Sequence, residues 1–197
     1  MAESTDTTLV VAVGEYLGRL PFANAVGDAA EIRPTVLQGG RILDQPERFA
    51  DALDYLRLPR ALHEIEGWFA DGEHSRHVSL DELIGRGLVR TLDVSGRLAG
   101  LEQLRLHSAG ASLGLADPAG DYTVLTPRGE MMRLAPGSYW FWVYSRTGQS
   151  IADVIAFVER DVIGTEAGAL ADDIVASLPL MLATGLGTLD SATTLVP

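Results

Sequence analysis

The chain has 197 residues, 47% of them hydrophobic, no cysteine, and a formal net charge of −12 from 15 basic residues, all arginine, against 27 acidic ones. That composition supports a packed core and excludes a disulfide framework, a thiol nucleophile and a cysteine-based zinc site. No apolar run reaches the ~18 residues of a membrane span, and the acidic balance repels phosphate backbones at long range.

Met1–Thr8 is polar, with two acids and no basic residue. It lacks the basic start and apolar stretch of a secretory signal, so a loose tail on a cytoplasmic protein is expected. Leu9–Val13 reads as a strand, and "RPTVLQGGRIL" as strand–turn–strand with Gly40 in the turn. "QPERFADALDYLR" places Phe49, Leu53 and Leu56 on one helical face. "PRALHEIEGWF" predicts a second helix, with Pro59 in its first turn and Leu62, Ile65 and Phe69 along one stripe; Trp68 reads as core. "SLDELIGRG" predicts a third, opened by the capping box Ser79–Glu82 and stopped by Gly87. "LVRTLDVSGRL" then reads as a hairpin, and 98–121 as a join.

The second half runs in the same order. "DYTVLTPRGEMMRL" predicts two strands around Gly129, and the aromatic run "SYWFWVYSR" a helix. "SIADVIAFVERDV" predicts a helix with Ser150 and Asp153 as its capping box. "ADDIVASLPLMLATG" predicts a third, which Pro179 should kink or split, ending at Gly185 before the hairpin "LGTLDSATTLV".

Three ordered matches tie the halves together. "TVL" recurs at 35–37 and 123–125; Tyr55 and Arg57 return as Tyr144 and Arg146; Gly87-Leu88 and Thr91-Leu92-Asp93 return as Gly185-Leu186 and Thr188-Leu189-Asp190. The largest insertion falls in "ERDVIGTEAGALADD", expected as a loop. An internal duplication follows, with copies at roughly 34–98 and 120–196. The expected fold is α+β: two tandem winged-helix units, helix-turn-helix with a β-hairpin wing, the first at 1–105 with an N-terminal extension and the second at 106–197.

Residues 120–190 resemble the PqqD-like family, the peptide-binding winged helices also called RiPP recognition elements. Gly148, Ile151, Val154, Asp173, Ile174, Leu178, Met181, Gly185 and Leu186 fall at that family's positions. The first half matches through Leu62, Ile65, Leu80, Leu83 and Gly87. Pro179 inside the third helix departs from the pattern, as does Gly187 where the family's closing "G-L-L" has a leucine. The resemblance implies a non-enzymatic peptide- or protein-binding module in which an extended peptide pairs with an edge strand and lays apolar side chains against the third helix.

The candidate partner-binding or interface residues are Tyr139, Trp140, Trp142 and Leu180. A short helix cannot point five aromatics into one small core, so Trp140 or Trp142 is expected to pack across an interface, between the copies or in a homodimer. The alternative is a DNA-binding regulator using Arg86, Arg90 and Arg97. Against it stands the second half, which has no basic residue after Arg160.

No catalytic, cofactor or metal residue is assigned. "GASLG" (110–114) matches G-x-S-x-G, but the last histidine, His107, precedes Ser112, so the hydrolase chain order fails. His74 and His77 read as a solvated loop rather than a metal site. Asp81-Glu82 and Asp172-Asp173 sit in first helical turns, where carboxylates favour the helix dipole.

Overall fold

The computed structural model describes residues 8–22, 31–71, 78–94, 98, 100–116 and 120–191. The protein is α+β, with small antiparallel sheets and, among the described residues, six α-helices. It divides into two compact units, the break falling after Thr91 rather than at 105.

The first unit opens on β1 (Thr8–Ala12). A turn at Gly14 leads into an antiparallel meander of β2 (Glu15–Phe22), β3 (Glu31–Gln38) and β4 (Arg41–Asp44). A 3-10 turn at Glu47–Phe49 continues as α1 (Ala50–Tyr55). Next come β5 (Arg60–Ala61), α2 (Leu62–Ala70), α3 (Leu80–Gly85) and β6 (Val89–Asp93), which returns beside β1 in the order β5-β1-β6. Pro59 does not start α2, because Arg60 and Ala61 first pair with Val10 and Leu9. The helices bury Phe49, Leu53, Leu56, Ile65 and Leu83 against Val10, Val36 and Val89, and Trp68 packs partly buried at the edge of that core.

The second unit repeats this order. β7 (Leu104–Ser108) is followed by the meander of β8 (Ala111–Leu115), β9 (Tyr122–Leu125) and β10 (Met131–Leu134). Then come α4 (Pro136–Tyr144), α5 (Ile151–Phe157) and α6 (Ala171–Ala183), and β11 (Gly187–Ser191) pairs back onto β7. The region expected as a join therefore holds two strands of the second unit. The insertion expected as a loop is partly a π-helix, Val158–Ile163, stopped by Gly164 in the left-handed conformation. Buried Glu159 accepts the Gly168 and Leu170 amides, fastening the run into α6.

Equivalent glycines set equivalent geometry. Gly14 (φ 90°) and Gly110 (φ 87°) turn the opening strand into the meander, and a Cβ on either would strike the carbonyl of Leu37 or Leu125, at 2.7 and 2.3 Å. Both meanders carry a bulge at the same place. Tyr16 faces Val36 and Gly18 faces Thr35; Ser112 faces Val124 and Gly114 faces Thr123. Gly87 (φ 72°) and Gly185 (φ 74°) end α3 and α6. Just beyond them the carbonyls of buried Leu88 and Leu186 accept Val13 N–H and Ala109 N–H, each at 2.8 Å.

The first strand of each expected wing has a strand partner. In its described part each is one strand paired with the strand that opens its unit: β6 with β1, and β11 with β7 from Gly187↔Ser108 to Ser191↔Leu104. That pairing buries Val89, Leu92 and Leu189. The expected return strands fall largely at 95–97 and 192–197, outside the described residues. Pro179 lies inside α6, which neither splits nor ends there.

Candidate binding surfaces

The aromatic helix fills its own unit. Tyr139 is buried, stacks on Tyr122 of β9 with ring centroids 3.8 Å apart, and shares a 2.8 Å hydrogen bond with Ser112 of β8. Trp142 is buried and donates Nε1–H to the Leu186 carbonyl at 2.9 Å. Phe141 is fully buried, and Tyr144 meets Phe157 of α5 edge-on. Trp140 is half-buried against Tyr122 and Tyr144. Tyr139, Phe141 and Trp142 are thus covered within the unit, and Trp140 keeps part of its surface open. The meander covers one flank of α4 and α5 another, so the helix buries more than the single stripe assumed from sequence.

Leu180 is different. It stands 52% exposed on α6, on the stripe that continues from exposed Asp172 and Asp173 through Ala176.

The arginines proposed for DNA are occupied. Arg86 lies over the Phe49 ring and 3.4 Å from Glu82; Arg90 donates to the carbonyls of Ile84 and Val89. Arg97 lies outside the described residues, as do His74 and His77.

Ser112 sits on a bulged strand with its hydroxyl held by Tyr139, and no helix follows that strand, so "GASLG" is a bulge and not a nucleophile elbow. Its counterpart is "GEYLG" (14–18), a match 96 residues upstream that carries the same register. His107 Nε2 lies 3.0 Å from Oδ2 of buried Asp190 on the facing strand. Neighbouring Ser108 donates to the Trp142 carbonyl. No group of three or more His, Asp or Glu able to hold a metal exists among the described residues. Nor is any helix there long and apolar enough to cross a membrane.

An open hollow of about 300 Å3 lies beside β3 and β4, lined by Ile32, Pro34 and Gln45 among others. Its charged side chains pair with one another and with Arg19: Arg33 with Glu31 and Asp44, Arg19 with Glu47. Those hydrogen bonds raise the Arg33 pKa above its ordinary value, Glu31 contributing most.

Large exposed apolar side chains stand on both meanders, Ile32 (62%) and Ile42 (59%) on the first and three on the second. Leu113 (54%) and Leu115 (66%) stand on β8 and Met131 (73%) on β10, the two outer strands. Sequence reasoning missed these three, although the match of "GASLG" to "GEYLG" marks β8 as a strand.

Comparison with family models, with curated proteins and with solved structures finds no match to this chain.

Proposed function

We propose that the protein is a non-enzymatic peptide- or protein-binding module. It would be built from two duplicated units related to winged helices, with each meander standing ahead of its helices where a wing was expected after them. The observation that carries this reading is the outer strand β10: it pairs with β9 on one side, has no other strand partner among the described residues, and exposes Met131. Unsatisfied edge amides and carbonyls are a template for an added strand. The chain from β10 turns directly into α4, where Gly137 lies against the N-terminal end of α6: a Cβ would sit 2.2 Å from Cδ1 of Leu170, the residue before that helix, and 3.8 Å from Asp173 Oδ2. An extended peptide on β10 would thus lie near the helix that exposes Leu180. Exposed Asp172 and Asp173 on α6 favour a partner with basic residues among apolar ones. This is the binding mode of the PqqD-like family that residues 120–190 resemble.

The test is a titration of the full chain with a library of extended peptides alternating apolar and basic residues, followed by fluorescence anisotropy and amide chemical shifts. The expected result is saturable binding that shifts residues 131–134 and α6, weakened about tenfold by Leu180→Asp or Met131→Asp. Binding indifferent to both substitutions would sink the reading.

A further inference from the structure

The other outer strand, β8, differs from its counterpart in the first unit in a way that bears on assembly. Both are edge strands with a bulge at the same register. β2 reads EYLGRLPF and carries the usual protection of an edge: Glu15, Arg19 bonded to Glu47, and Pro21. β8 reads ASLGL, with no charge and no proline, and leaves Leu113 and Leu115 exposed. Among the described residues its one strand partner is β9.

The ends of β8 carry opposite charges. Arg146 donates to the Gly110 carbonyl at 2.9 Å, where β8 begins. Asp121, whose carbonyl accepts the Ala116 amide at 2.7 Å, stands where β8 finishes. The turn next to the Arg146 end adds Arg128 and Glu130, which cancel. An antiparallel copy of β8 would bring each Arg146 end against an Asp121 end, and a strand without charges meets no like charge along its length.

We propose that β8 is a self-pairing edge. Two copies of this chain associate by antiparallel β8–β8 pairing about a two-fold axis near Leu113, joining two three-stranded meanders into one six-stranded sheet. Identical strands related by a two-fold are self-complementary, which is the geometry of an isologous dimer. The surface is separate from the β10 edge invoked for peptide binding, so either proposal can fail alone.

Sedimentation velocity of the full chain over a dilution series should show a monomer–dimer equilibrium. Leu113→Arg would place two like charges beside the axis at an exposed site; it should weaken association about tenfold or more while leaving the circular dichroism unchanged. The chain has no cysteine, so Leu113→Cys supplies a unique thiol. Mild oxidation should cross-link that variant much faster than Met131→Cys, which is equally exposed but away from the axis. A monomer at every concentration would overturn the proposal. So would a dimer that survives Leu113→Arg, or cross-linking that does not favour position 113. Protection of amides 111–115 that requires added peptide would assign β8 to a peptide instead, and also overturns self-pairing.

Discussion

Gly110 has two independent reasons to be glycine. Its φ of 87° lies in the left-handed region, and a Cβ would sit 2.3 Å from the Leu125 carbonyl oxygen, a backbone atom that cannot swing away. Gly110→Ala is therefore expected to destabilise by about 1–3 kcal/mol or more, read as a lower urea midpoint. Gly67 is the contrasting case. It lies inside α2 with nothing within 4 Å of a would-be Cβ. Gly67→Ala should raise stability by about 0.5–1 kcal/mol, since alanine loses less backbone entropy in a helix. A neutral Gly110→Ala would mean that the turn is not built this way.

Caps and breakers decide what happens at the scale of elements. Ser79 and Ser150 each accept the amide three residues on, at 3.2 Å, so both serine N-caps form as the local pattern predicts. Gly87 and Gly185 have nearly the same φ and open space around a would-be Cβ, apart from the far end of two side chains near Gly87. Alanine at either should then cost a similar amount, about 1–2 kcal/mol, the strain of a side chain in the left-handed region. Paired thermal melts of the two variants would check this; a large difference would count against equivalent caps. Pro179 removes one backbone hydrogen bond inside α6 and crowds the preceding turn. Pro179→Ala should stabilise by up to about 3 kcal/mol, seen as a higher melting temperature with unchanged helical dichroism. A loss of stability would show that α6 needs the proline's shape.

Across the whole molecule the charge of −12 dominates long-range behaviour. With Arg86 and Arg90 engaged by Glu82, Phe49 and backbone carbonyls, no saturable binding to duplex DNA is expected at physiological salt. An anisotropy titration with genomic fragments measures this. Sequence-specific binding weakened by Arg90→Ala would restore the regulator reading.

Much of this architecture was legible in the sequence because it rests on interactions spanning a few residues. The helical stripes of α2, α5 and α6, the serine caps, the turns at Gly40 and Gly129 and the stops at Gly87 and Gly185 all follow from local periodicity and backbone preference. The recurrence of "TVL" and Gly-Leu in both halves was likewise readable, and those residues occupy the same register and make the same hydrogen bonds in each unit. Tertiary structure alone decided the partners. An alternating pattern such as "LVRTLD" shows that one face is buried but not which strand covers it, and the strand that covers β6 is β1. The aromatic run could not be assigned an environment until the meander was seen against α4. "GASLG" has the letters of a catalytic turn, yet its pairing with β9 makes it a bulge. Likewise, the openness of β8 and β10 depends on which strands lie beside them, and strand pairing is set by long-range burial that no window of sequence contains.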